Sequence, residues 1–207
     1  MRVGVFGGTF DPVHVGHLRI AEEVREDLSL ERIYFVPTRV QPLKAATRSA
    51  AVDDRVRMLD MALRGNAFFR TSLVEARRVG VSYSIDTVRH FRRRFGEISF
   101  LVGMDAFSDI AMWKEYEQLF SSTDFVVMTR PGSVAPGLPE ALLGQARRLD
   151  ETTWEHASGK RIHFHRITQL DISSTRIREL ARMGRSIRYL VPYSVERYIT
   201  QRGLYRN

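Results

Sequence analysis

Residues 2–37 contain four segments in series: RVGVF (2–6), GGTFDPVHVGH (7–17), LRIAEEVREDL (18–28) and RIYFVP (32–37). The first is short, apolar and β-branched, as a buried strand requires. The second is a turn rich in glycine and proline, and the third has the apolar spacing of a helix. The fourth again reads as a strand. Strand, glycine turn, helix and strand within about 36 residues make a βαβ unit, which dictates parallel pairing with a helix packed on the sheet.

The alternation continues outward from this unit. DDRVRMLDMALRG (53–65) reads as a helix, FRTSLVEA (69–76) as a strand and SYSIDTVRHFRRRF (82–95) as a helix. EISFLVG (97–103) is a strand, WKEYEQLF (113–120) a helix and DFVVMTR (124–130) a strand. Prolines 131, 136 and 139 then weaken the pattern, so residues 131–160 read as an irregular connection with one short helix, Glu140–Leu149. RIHFHR (161–166) resumes as a strand, and two helices follow, from about Ser174 to Met183 and from about Ser194 to Arg202. The pattern predicts one doubly wound, Rossmann-like α/β domain over residues 1–207, with a parallel sheet and a helical C-terminal region from about 172.

Composition narrows the partners without choosing one. The net charge is +8, and the only lysines are Lys44, Lys114 and Lys160, so arginine carries it. Such a balance favours an anionic partner. The run Arg92-Arg93-Arg94, however, lies on the polar side of a helix whose stripe is Ile85, Val88, Phe91 and Phe95, so it reads as a solvated face. No RNP, KH, zinc-finger or helix-turn-helix pattern supports nucleic-acid binding. No apolar run approaches the ~18 residues of a membrane span. The absence of cysteine excludes disulfides and thiolate zinc sites. With no leader pattern in MRVGVFGGTF, a cytoplasmic location is the expectation.

Chemistry concentrates after the first strand. Gly7 and Gly8 let the backbone turn sharply and bring N–H groups close to a phosphate, with the next helix adding its positive end. His14 and His17, at i,i+3 on the opening helical turn, project to one side, and Gly16 between them leaves room for a ligand. Two such imidazoles can donate to phosphate oxygens and stabilise charge on a pentavalent phosphorus. Further on, Ser173, Ser174 and Thr175 open a helix with hydroxyls and free N–H groups. Arg176 and Arg178 sit in its first turn, where a helix dipole disfavours cations unless an anion is present. His163 and His165 share one strand face but lack an evident third ligand, so they read as structural.

GGTFDPVHVGH resembles the signature of the HxGH nucleotidyltransferases, and the chain from Arg2 to Tyr205 resembles the bacterial nicotinate-mononucleotide adenylyltransferase family. SYSIDT (82–87) is similar to that family's SYT-x-x-T, with serine at 84 where threonine is usual. GMDAF with Trp113 resembles its G-x-D…W pattern, TRPG (129–132) its R-P-G and ISSTRIREL (172–180) its I-S-[SA]-T-x-I-R. QPLK (41–44) departs from the frequent P-P-H-K, with Leu43 in place of histidine.

The resemblance implies attack by a mononucleotide phosphate on the α-phosphorus of ATP, with nicotinate mononucleotide as acceptor and Mg²⁺ held mainly by substrate phosphates and water. Gly7, Gly8, Thr9 and Phe10 with His14 and His17 would hold the transferring nucleotide. Lys44 with the Ser174–Arg178 helix start, Arg176 foremost, would grip the outer phosphates, and Ile172, Ser173 and Thr175 would belong to the same ATP site. Trp113 would stack on the pyridine ring, Tyr83 and Ser84 would meet its carboxylate, and Gly103, Asp105 and Arg130 would complete the acceptor site. Nicotinamide mononucleotide, phosphopantetheine or a cytidylyltransferase substrate remain alternative acceptors. A nucleic-acid-binding module and a non-catalytic nucleotide sensor are the alternatives outside this chemistry.

Overall fold

The computed structural model describes residues 1–40, 49–129, 137–168 and 170–206. The opening βαβ unit forms as the pattern dictates: β1 (Val3–Gly8), α1 (Val15–Asp27) and β2 (Arg32–Pro37), with β1 and β2 parallel and Val3 in register with Arg32. α2 (Val52–Leu63) and β3 (Phe69–Thr71) extend the sheet on that side. α3 (Ser84–Phe95), β4 (Ile98–Gly103), α4 (Met104–Ser108), α5 (Tyr116–Ser122) and β5 (Asp124–Thr129) extend it on the other. After β6 (Ala146–Arg148), β7 (Thr153–His156) and β8 (Arg161–Arg166), α6 (Ser174–Arg182) and α7 (Tyr193–Arg202) complete the fold.

The strand order is β3-β2-β1-β4-β5-β8-β7-β6. The chain winds outward from β1 in one direction and returns to wind outward from β4 in the other. The carboxyl ends of β1 and β4 therefore flank the topological switch point, where open α/β sheets bind ligands. Alternation along each strand feeds two cores. Val3, Val5, Phe100, Val102, Phe125 and Val127 pack with α3, α4 and α5 on one face. Phe6, Leu101, Val126 and Met128 pack with α1, α2, α6 and α7 on the other. Gly4 belongs to this second face, and a Cβ there would lie 3.0–3.2 Å from Leu30, Ile33 and Leu101.

The helices carry the signals their sequences announce. Asp53 and Asp54 occupy the first turn of α2, complementing its positive end. Ser173 caps α6 by accepting from Arg176 N–H at 3.2 Å. Ile85, Val88 and Phe91 are buried on α3 as its stripe requires, while Arg93 and Arg94 are exposed.

Three expectations need correction. The helix expected at Glu140–Leu149 is a single 3-10 turn, Glu140–Leu142, followed by β6. β6 and β7 form an antiparallel hairpin that pairs with β8, so the sheet is parallel through β8 and antiparallel beyond it. The hairpin is polar and short, and its cross-strand pair Arg147–Glu155 (2.6 Å) is invisible to a hydrophobic-period search. The strand expected over 69–76 stops at Thr71 and gives way to a turn containing Glu75. Among the described residues no helix is long and apolar enough to cross a membrane.

Candidate active site

At the carboxyl end of β1 the chain turns through Gly7, Gly8 and Phe10, whose φ of 48° is left-handed. Phe10 is buried, with its ring edge-on to Phe6 at 5.5 Å and to His17 at 5.2 Å. A Cβ at Gly8 would come within 2.9 Å of that ring, so glycine is obligatory for the turn to close. Any contribution of Phe10 to a ligand is thereby limited to its backbone.

His14 and His17 form a reciprocal cap at the start of α1. The His17 backbone N–H donates to His14 Nδ1 at 3.4 Å, and the His14 N–H donates to His17 Nδ1 at 3.3 Å. The rings stack with centroids 3.7 Å apart. Because both Nδ1 atoms accept, each neutral ring carries its proton on Nε2, and neither Nε2 has a hydrogen-bond partner among the described residues. Burial lowers the His14 imidazole from its ordinary value to about 4. Burial, and then the neighbouring His14, hold His17 well below its ordinary value. The pair is therefore two neutral N–H donors at neutral pH. A Cβ on Gly16 would sit 3.0 Å from His14 Nδ1, so the stack depends on that glycine.

The start of α6 docks on this turn. Ser174 Oγ donates to the Pro12 carbonyl at 2.9 Å, and a Cβ on Gly16 would lie 4.0 Å from Ile172. Arg178 donates through Nη1 to the Asp11 carbonyl at 2.8 Å, so its guanidinium is partly committed to holding the loop. Arg176 is exposed, with Nη1 3.3 Å from Glu179 Oε2. The structure thus brings residues 7–17 and 172–178 together across more than 150 residues of chain.

The acceptor candidates gather on the other side of the glycine turn. A cavity of about 360 Å³ opens beside Gly7, Gly8 and Thr9, with Tyr83, Ser84, Asp105 and Trp113 in its walls. Ser84 is the first residue of α3, whose N-terminus has no side-chain cap, so its positive end faces that wall. Trp113 is half-buried and edge-on to Phe100 at 6.3 Å. Gly103 ends β4 and caps α4, but does not line the cavity. Lys44 and Arg130, with Gln41 and Leu43, lie outside the described residues.

Sequence reading missed three polar residues. Arg55, buried within α2, donates to the carbonyls of Thr9 (2.7 Å), Thr38 (2.8 Å) and Ala50 (3.2 Å), clamping the loops after β1 and β2 together. Glu75 is buried in the cavity wall and accepts from Thr87 Oγ1 at 2.7 Å. Burial pushes its carboxyl up, against the Thr87, Thr38 and Ser82 hydroxyls and the Arg78 charge. Lys114 lines the cavity with its ammonium 4.6 Å from the Tyr83 ring centroid. Its adjacency to Trp113 was the one available signal.

His163 and His165 face different groups: Thr153 Oγ1 lies 3.1 Å from His163 Nδ1, whereas Asp27 Oδ2 lies 3.3 Å from His165 Nε2 without hydrogen-bond geometry. Among the described residues no group of three or more His, Asp or Glu side chains is placed to hold a metal.

The cytidylyltransferase-like family model matches residues 5–180. A probable nicotinate-nucleotide adenylyltransferase of Geotalea daltonii is 44% identical, covering 100% of this chain and 99% of its own. One from Geobacter sulfurreducens is 43% identical, covering 99% and 98%. Among solved structures, the Plasmodium falciparum nicotinic acid mononucleotide adenylyltransferase complexed with NaAD superposes with a TM-score of 0.73 at 18% identity. It covers 99% of this chain and 97% of that one, a likeness of fold. The stacked histidines on the glycine turn and the full-length identity lead to one assignment: the chain belongs to the cytidylyltransferase-like family and, within it, to the nicotinate-nucleotide adenylyltransferases.

Proposed function

We propose that this protein transfers the AMP moiety of ATP to nicotinate mononucleotide, giving nicotinate adenine dinucleotide and pyrophosphate in NAD biosynthesis, in the cytoplasm. A phosphate oxygen of the mononucleotide forms a bond to the α-phosphorus of ATP, and the bond from that phosphorus to the bridging β-oxygen breaks. The attacking phosphate is already ionised at neutral pH, so no general base is required. Catalysis reduces to aligning two anions and stabilising the charge that grows on the α-phosphoryl oxygens.

The observation that carries this reading is the stacked His14–His17 pair, neutral and with both Nε2–H groups uncommitted among the described residues, beside Gly7 and Gly8 at the switch point. In this reading the pair holds the α-phosphate, with backbone of Gly7, Gly8, Thr9 and Phe10 around it. The start of α6, with Ser173, Ser174, Thr175 and Arg176, receives the outer phosphates along with Lys44, and Arg178 steadies the loop. Trp113, Tyr83, Ser84 and Asp105 take the acceptor, with Gly103 and Arg130 completing its site. The donors at the histidine turn are neutral nitrogens, which suits a magnesium ion carried by the nucleotide's own phosphates better than one caged by protein. Such an ion supplies charge neutralisation on the phosphate oxygens.

Pyrophosphate release from ATP plus nicotinate mononucleotide tests the proposal. Release that needs both substrates, and falls sharply in His17→Ala, is the expected result. A well-folded protein that releases none would overturn it.

A further inference from the structure

The cavity beside the glycine turn has an unusual charge balance for a site that takes an acid. Glu75, Asp105 and Asp109 place three carboxyl groups in its walls, and among the described residues Lys114 is the single basic side chain lining it. An anionic ring entering such a cavity needs a positive charge close by.

Lys114 is built to supply one. Its ammonium rests over the Tyr83 ring at 4.6 Å, a cation–π contact that draws it toward the N-terminus of α3, where Ser84 sits. The neighbouring carboxylate does not consume it. Glu115 Oε2 already receives Arg89 at 2.6 Å, and Lys114 lies 3.9 Å from the other oxygen, beyond hydrogen-bond length. The chain also bends at this point to present it. Glu115 has a left-handed φ of 53°, a conformation uncommon for residues other than glycine, and the turn lets Trp113 and Lys114 both line the cavity.

We propose that Lys114 is a specificity-determining residue, whose ammonium pairs with the carboxylate of a pyridine-3-carboxylate mononucleotide and sets the preference for the acid over its amide. The inference rests on the adenylyl-transfer reading above and adds the group that discriminates. The ring stacks on Trp113, the uncapped end of α3 and Ser84 meet one side of the carboxylate, and Lys114 meets the other. An amide offers no charge to Lys114, so only the acid gains from it.

The test compares wild type, Lys114→Met and Lys114→Arg, each with the acid and the amide mononucleotide. Pyrophosphate release gives kcat and KM, and calorimetry gives binding of each mononucleotide without ATP. Lys114→Met should lose roughly ten- to a hundredfold in kcat/KM for the acid, through KM, and little for the amide. The KM for ATP should hold, and Lys114→Arg should restore most of the loss. Equal losses for acid and amide, or none for the acid, would overturn the proposal. A wild type that binds the acid without turnover, with binding weakened in Lys114→Met, would refute the transfer reading and leave the Lys114 assignment standing. A wild type that neither binds nor turns over the acid would overturn both.

Discussion

Tyr205 donates its hydroxyl to Oδ1 of Asp11 at 2.7 Å, a contact spanning 194 residues of sequence that ties the segment after α7 to the loop carrying the histidines. Asp11 is 3% exposed, and the same oxygen accepts the Ala50 N–H at 3.2 Å while Arg178 lies 3.9 Å from the other oxygen. Burial, and then the Asp11 charge, raise the Tyr205 phenol above its ordinary value. Tyr205→Phe should therefore lower stability by about 1.5–3 kcal/mol, the cost of removing a hydrogen bond to a buried charge. Urea unfolding followed by circular dichroism measures it, and an unchanged midpoint would mean that Ala50 and Arg178 suffice for Asp11.

His14 caps α1 through Nδ1 and, in the proposed reaction, donates through Nε2, and the two tasks are separable. His14→Asn keeps a cap acceptor in nearly the same place and removes the distal donor, whereas His14→Ala removes both. Both variants should lose about 10²–10³ in kcat, and only the alanine variant should also lose about 1 kcal/mol of stability. Normal turnover in His14→Asn would confine His14 to capping.

Gly16→Ala isolates the stack from the chemistry of the rings. Alanine favours a helix by up to about 1 kcal/mol over glycine, yet its Cβ would meet His14 Nδ1 at 3.0 Å. The expected variant is folded, with near-normal stability and sharply reduced kcat. Full activity would show that the rings tolerate displacement.

The buried imidazole makes stability depend on pH with a definite sign. The unfolded His14 ring titrates near 6.5 and the folded one at about 4, so between these values the unfolded chain holds more protons. Stability is full above pH 6.5 and falls as the pH drops toward 4, with His14 contributing roughly 3 kcal/mol to the fall. Denaturation series at pH 7.5 and 4.5 should show a smaller drop in His14→Asn than in wild type. Parallel drops would place the effect on other groups.

Glu75 acts in the opposite sense. Its carboxyl is raised above 4.5 by burial, so the folded state holds the extra proton and stability declines as the pH rises through the window above 4.5. Glu75→Gln keeps an oxygen for Thr87 and removes the ionisation. The variant should gain melting temperature relative to wild type more at pH 8 than at pH 5. An equal difference at both would remove Glu75 as the source.

What sequence could and could not reveal follows from the range of each interaction. The βαβ unit and the histidine turn are local, since strand period, glycine turn and i,i+3 spacing all fall within 37 residues. Arg55 escaped because DDRVRM is an ordinary amphipathic helix start, and its burial depends on carbonyls from three other segments. Glu75 was absorbed into an apparent strand, since a turn that buries a carboxyl against a hydroxyl twelve residues on leaves no periodic trace. The β6–β7 hairpin exists through pairing with β8, a partner that local propensity does not contain.

Arg55 has a consequence for how quickly the site can work. Its guanidinium draws the Thr9 carbonyl toward α2, and in a planar peptide the N–H of Phe10 must then point the opposite way. In water, dipoles around a growing negative charge have to swing into place during each reaction. Here the orientation of the Thr9–Phe10 peptide is fixed when the chain folds, by a cation buried among four carbonyls, so that dipole has no such swing to make.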